Sequence, residues 1–199
     1  MLALSALILT FATSGAPVYH PPRPATPSQA PTAGPDETLS DEEIRSRVTS
    51  YLGAIDVPVT TEQWRALGPR AVPLLEGVLA NTDDLPSRRA SAVGGLAVIG
   101  GKRARTLVLK TAQSEDEPFF VRAAALHGAP RVLGPSELMR QLKPVLEGAR
   151  EPATRAAAAD VLARHAPRSA CSAIRAQAER EGEARAHYER ALQRCGVVP

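Results

Sequence analysis

A dipeptide of Arg followed by Ala recurs along the chain, each time at the start of an apolar run with helical spacing. The four copies are Arg89-Ala90, Arg122-Ala123, Arg155-Ala156 and Arg185-Ala186. Successive copies are 33, 33 and 30 residues apart, and a near-constant period in this range is typical of stacked supersecondary units. The repetition therefore predicts a row of similar helical units, each in contact with the next.

The composition favours helices that pack closely together. Apolar residues make up 44% of the sequence but aromatic residues only 4%, so Ala, Leu and Val must form the core. Small side chains suit close helix–helix packing better than a sandwich or a deep pocket. The formal net charge of +3 is mildly basic and well short of what nucleic-acid binding alone would need.

The N-terminal residues are predicted to direct export and then to act as a tether. Residues 1–16 form an apolar segment that ends in small residues, and the segment is shorter than the ~20 residues of a membrane span. We interpret it as a signal peptide, although the usual positively charged start is missing; the alternative is an apolar N-terminus that is retained. Residues 17–38 are rich in Pro and poor in large apolar residues, so we predict a disordered linker.

Helix-start signals mark the beginning of the folded domain, predicted to span 39–199. Ser40 with Glu43 three residues later fits a capping box. One apolar stripe follows, formed by Ile44, Val48, Leu52 and Ile55. We predict that this helix covers the first repeat, because the terminal unit of a repeat array needs a capping element.

The segment LGPRAVPLLEGVL at 67–79, followed by a helix rich in Arg and Ala, resembles the HEAT-repeat family in its short bacterial form. The resemblance extends over about residues 61–196. It implies an all-α fold, a right-handed α-solenoid of about four helix pairs with an N-terminal capping helix. In this family the first (A) helix of each pair lies outside, and the second (B) helix lines a concave binding face.

The same resemblance implies structural roles for the repeated arginines. In HEAT repeats, acidic loop residues and B-helix arginines form a ladder between adjacent units. Asp83 lies six residues before Arg89, and Asp116 lies six before Arg122. We therefore expect these four residues, together with Arg155, to form such a ladder.

Two cysteines, Cys171 and Cys195, are predicted on the last helix pair. The start of one helix meets the end of the other in an antiparallel hairpin, so their Cα atoms can approach to about 6 Å, as a disulfide requires. In an oxidising compartment we expect a disulfide. The alternative is two buried thiols, since the spacing excludes a CxxC redox or zinc site.

We find no motif for catalysis or metal binding in the sequence. HExxH, GxSxG and a paired Cys–His signature are all missing. The histidines of the predicted B helices, His127, His165 and His187, lack ligand spacing. We therefore expect a non-enzymatic protein with no cofactor, no metal site and no small-molecule substrate.

A basic strip is predicted on the C-terminal half of the B-helix face. Positions five and nine residues after each repeated Arg share a helix face. The strip consists of His127, Arg131, Arg164, Arg190 and Arg194. Asp160 occupies one of these positions and can partly neutralise Arg164. The alternative to a binding strip is a helix face that is merely solvated.

These features lead to two functional hypotheses. The first is an exported scaffold, periplasmic or secreted, that binds an acidic protein partner along the concave face of the B helices. The alternative is a cytoplasmic HEAT-like protein that binds nucleic acid, or an enzyme of the DNA glycosylase type. The alternative requires that residues 1–16 are retained and that the cysteines are reduced.

Overall fold

The computed structural model describes residues 39–54 and 58–196, and every regular element within these ranges is helical. The predicted all-α class is therefore confirmed. The predicted signal peptide (1–16), the predicted linker (17–38) and Ile55 of the first apolar stripe lie outside the described residues.

The described residues form ten α-helices and two short 3₁₀ segments. The α-helices are α1 (Asp41–Leu52), α2 (Thr61–Leu67), α3 (Val72–Ala80), α4 (Pro86–Ile99), α5 (Gly101–Gln113), α6 (Phe119–Val132), α7 (Pro135–Gly148), α8 (Pro152–His165), α9 (Pro167–Arg180) and α10 (Glu189–Arg194). The 3₁₀ segments are Pro69–Ala71 and Gly182–Tyr188. The second 3₁₀ segment replaces the start of the last predicted B helix, so the fourth predicted helix pair is less regular than the sequence suggests.

The first helix begins at the predicted capping box. The Ser40 hydroxyl accepts a hydrogen bond from the Glu43 amide at 3.2 Å, and the Glu43 carboxylate accepts one from the Ser40 amide at 2.7 Å. Ile44, Val48 and Leu52 are buried on one side of α1. The capping box and the buried stripe both follow from the sequence. The cap accepts a hydrogen bond from a main-chain amide that has no partner within the helix, and the apolar stripe is buried where α1 packs against the rest of the domain.

The longer helices contact one another in a regular order. Helix α4 packs on α6, α6 on α8 and α8 on α10, while α3, α5, α7 and α9 also contact each other in turn. The helices of each predicted pair pack together as well, for example α5 with α6 and α7 with α8. One core of mainly Ala, Leu and Val side chains runs through the described helices, as the composition predicts.

Two neighbouring glycines on α4 have different surroundings. A Cβ atom added to Gly95 would lie 2.9 Å from the ring of Trp64 and 3.2 Å from Cδ1 of Leu75, whereas a Cβ added to Gly94 meets nothing within 4 Å. On α6, a Cβ at Gly128 would lie 2.8 Å from the Cβ of Ala97 on α4. Gly95 and Gly128 therefore allow α4 to pack closely against its neighbours, and Gly94 has no such role.

We expect Gly94→Ala and Gly95→Ala to change stability in opposite directions. The first should raise the free energy of unfolding by up to about 1 kcal/mol, because Ala favours a helix over Gly and the site is open. The second should lower it by about 1–3 kcal/mol, because the added methyl group overpacks the contact with Trp64. Urea unfolding of both variants measures the difference, and an equal stabilisation by Gly95→Ala would contradict the close contact.

Candidate partner-binding groove

Three buried or half-buried arginines lie in the first turns of α4, α6 and α8. Arg89 on α4 donates from Nε to the Leu79 carbonyl at 3.0 Å and from Nη2 to the Glu117 carboxylate at 2.7 Å. Arg122 on α6 donates from Nη2 to Glu115 at 2.8 Å. Only 3% of each arginine side chain is exposed, so water does not compete for these ion pairs. The pairs therefore fix the starts of α4 and α6.

The third arginine, Arg155 on α8, belongs to a larger network around Glu181. Its Nε and Nη2 donate to the Glu181 carboxylate at 2.5 and 2.6 Å. Gln177 Nε2 and the Tyr188 hydroxyl donate to the same carboxylate at 2.5 and 3.0 Å. The hydrogen bond from Arg155 is the main reason why the pKa of Glu181 falls to about 2, while burial raises the pKa of Tyr188 to about 12.

The acidic partners of these arginines differ from those that the family resemblance implied. The arginines form ion pairs with Glu117, Glu115 and Glu181. Asp83 and Asp116 are exposed in turns. A glutamate is one methylene longer than an aspartate and can reach a guanidinium buried beneath a turn. The main-chain amide of Asp83 instead donates to Asn81 Oδ1 at 3.2 Å.

The ladder still joins neighbouring helix pairs. The Arg89–Glu117 contact links the start of α4 to the turn before α6, and Arg155–Glu181 links the start of α8 to the turn after α9. Glu115 accepts a second hydrogen bond from the Arg150 amide, at 3.3 Å, which connects the turn before α6 to the turn before α8. These contacts hold α4, α6 and α8 in their relative positions.

The predicted pairing of Cys171 with Cys195 is confirmed by the positions of the two side chains. Their Sγ atoms lie 2.03 Å apart, at disulfide bonding distance, and their Cα atoms are 5.5 Å apart. Arg175 on α9 also donates to the Cys195 carbonyl at 2.7 Å. The end of α10 is thereby attached to α9 at two points.

A groove of about 520 Å³ follows one face of α8. Its floor contains Ala153, Ala156 and Ala157, followed along the helix by Asp160 and Arg164. Helix α6 forms one wall with Phe119 and His127. The segment after α9 forms the other wall with Ala186, His187, Glu189 and Arg190. The groove exists because α8 presents small side chains between two walls with larger ones.

The structure brings together only part of the predicted basic strip. His127, Arg164 and Arg190 line this groove. Arg194 lies beside it and forms an ion pair with Asp160. Arg131 lines a separate groove of about 710 Å³, where its neighbours include Lys102 and Arg105.

Asp160 neutralises the strip more strongly than the sequence suggests. It accepts from Arg164 at 2.8 Å and also pairs with Arg194, so two of the predicted cations share one carboxylate. Arg190 is exposed, and its guanidinium makes no ion pair or hydrogen bond with the residues that the structure describes. Arg190 is therefore the groove cation that is available to a ligand.

His187 is a groove residue that the strip prediction missed. The prediction counted only the positions five and nine residues after each repeated Arg, whereas His187 lies two residues after Arg185, in the 3₁₀ segment Gly182–Tyr188. Ala157, two residues after Arg155 on α8, lines the groove as well. Nearby on α8, burial and the charge of Arg164 lower the pKa of His165.

No family model, curated protein or solved structure matches this chain. Among the described helices, none is both long enough and apolar enough to cross a membrane. Within the same part of the chain, no three His, Cys, Asp or Glu side chains are grouped so as to hold a metal ion.

Proposed function

We propose that the chain is an exported HEAT-type α-solenoid that acts as a non-enzymatic scaffold and binds a protein partner. The binding surface is the face formed by α6, α8 and the segment that ends in α10. The observation that supports this most directly is the groove along α8, which has an alanine floor and mixed aromatic, imidazole and guanidinium walls. Aromatic residues and Arg are enriched where proteins bind one another.

Two further observations support the architecture and the compartment. The ordered contacts of α4 with α6, α6 with α8 and α8 with α10 are those expected when repeats stack on their nearest neighbours. A cysteine pair at disulfide distance is typical of proteins in oxidising compartments. An exported solenoid accounts for both observations.

Site-specific photo-crosslinking in the native host tests the scaffold proposal. We expect a photoreactive phenylalanine in place of Phe119, on the groove wall, to crosslink to one defined protein of the cell envelope. The same residue at Arg140, which is exposed on α7, serves as the matched control and should give no such product. Equal crosslinking at both positions, or none at Phe119, would contradict binding through the groove.

Intact mass of the protein isolated from the host tests export separately. We expect the mature chain to lack the predicted signal peptide and to gain the mass of two hydrogen atoms on reduction. A chain that retains Met1 and has free thiols would contradict export. That result would favour the cytoplasmic alternative.

A further inference from the structure

The size and walls of the α8 groove restrict what it can hold. Its volume of about 520 Å³ falls within the range of about 300–1,000 Å³ that is common for ligand sites. Four alanines and Phe119 give it an apolar section, formed by Ala153, Ala156, Ala157, Ala186 and Phe119. The groove can therefore accept one or two apolar side chains of an extended segment.

An exposed aromatic residue extends this apolar section at one end. Phe120 follows Phe119 at the start of α6, and their ring centroids are 5.7 Å apart. Phe120 is 71% exposed, which makes it one of the two large apolar side chains that are exposed in the described part of the chain. An exposed aromatic ring at the rim of a groove is typical of a contact that a partner completes.

The charges of the groove point to a ligand with few, well-placed anionic groups. Arg190 is free to form paired hydrogen bonds with a carboxylate, which is the geometry that a guanidinium favours. Asp160 holds Arg164 and Arg194 in ion pairs, and Glu189 adds a negative charge to the lining that would repel a continuous polyanion such as a nucleic-acid backbone. A ligand with one carboxylate at Arg190 and apolar side chains next to it would be attracted by the guanidinium. It would bring too few negative charges to be repelled by the acidic lining.

We propose that the α8 groove binds an acidic peptide segment of a protein partner. In this complex an apolar side chain packs on the alanine floor and Phe119, and a carboxylate forms an ion pair with Arg190. His127 and His187 stand on opposite walls and can each donate a hydrogen bond to the peptide. This inference rests on the proposed scaffold function and defines the chemistry of its partner.

The test is a fluorescence-anisotropy titration of the full mature protein with two labelled probes. One probe is a twelve-residue peptide of alternating Leu and Gln in which one central Gln is replaced by Glu, and the other has Gln in place of that Glu. We expect the wild type to bind the Glu peptide at least about tenfold more tightly, a difference of about 1.4 kcal/mol. Equal binding of both peptides, or no binding of the Glu peptide, would overturn the inference.

Two variants assign that binding to the groove. Arg190→Ala should weaken binding of the Glu peptide about tenfold, and Ala157→Leu should abolish it by filling the floor. Arg185→Ala is the matched control, because Arg185 is exposed in the same segment but does not line the groove. Its affinity should equal that of the wild type, and circular dichroism checks that all three variants fold. An unchanged affinity in Arg190→Ala would refute the ion pair.

A labelled oligothymidylate of twelve nucleotides separates this inference from the nucleic-acid alternative. Tighter binding of the oligonucleotide than of the Glu peptide would overturn the inference in favour of a polyanion-binding surface. The photo-crosslinking result distinguishes the two proposals from each other. A protein crosslinked at Phe119, together with failure of the Glu peptide to bind, would leave the scaffold function intact and refute only the acidic ligand.

Discussion

Replacing Arg155 with alanine should lower the free energy of unfolding by about 3–5 kcal/mol, because the change leaves the carboxylate of Glu181 buried without its cation. The side chain of Glu181 is only 4% exposed and that of Arg155 16%. Arg155 also donates to the carbonyls of Ala149 and Arg150, at 2.5 and 3.0 Å. Its loss therefore disturbs the turn before α8 and the turn after α9 together, and urea unfolding measures the cost.

Arg164→Ala is the matched control for this variant. Arg164 lies on the same helix and also pairs with a carboxylate, that of Asp160, but its side chain is 49% exposed. An exposed ion pair contributes about 0–1 kcal/mol, so this variant should be close to the wild type in stability. Similar losses of stability in the two variants would mean that the Glu181 network stabilises the fold no more than an exposed ion pair does.

The same network should make the protein sensitive to acid in a defined range. Glu181 has a pKa near 2 in the folded protein, against an ordinary value of 4.5, so folding favours its ionised form. Its stabilising contribution is therefore present above about pH 4.5 and is lost as the pH falls towards 2. In Glu181→Gln, stability should depend less steeply on pH between these values, and an unchanged slope would contradict the assignment.

Removing the disulfide should cost about 3 kcal/mol, the second large effect that we expect. Cys171 and Cys195 are separated by 24 positions, and opening a loop of this length restores conformational freedom to the unfolded chain by roughly that amount. We expect the double variant Cys171→Ser with Cys195→Ser to melt at a lower temperature than the wild type.

Reductant provides the internal control for the disulfide. Treatment of the wild type with reductant should shift its melting temperature to that of the double serine variant, which itself should not respond. If reduction leaves the wild type unchanged while the variant is destabilised, the loss would come from the serine side chains rather than from the cross-link.

Local sequence signals predict much of this fold because they act over a few residues. Ser40 and Glu43 form the expected capping box, and Gly68, with a φ of 65°, ends α2 directly before Pro69. The apolar periodicity likewise identifies the buried side of α1, formed by Ile44, Val48 and Leu52. The cysteine pairing follows from the antiparallel arrangement of the last two helices.

Contacts between turns are harder to predict, because they depend on how far a side chain reaches in three dimensions. The family resemblance implied Asp83 and Asp116 as partners of the arginines, but the longer side chains of Glu117 and Glu115 reach them. The strip prediction missed His187 because it counted only the positions five and nine residues after each repeated Arg. Counting along one helix does not show which of its side chains line a groove between helices.

The groove wall formed by the segment after α9 is short and irregular, but contacts along its length hold it in place. Tyr188 is held by Glu181, Arg194 by Asp160, and Cys195 by Cys171. A wall that is ordered before a ligand arrives loses little conformational entropy on binding, and preorganisation of this kind raises affinity. Reduction of the disulfide should therefore weaken ligand binding although neither cysteine lines the groove, so affinity would follow the redox state of the surroundings.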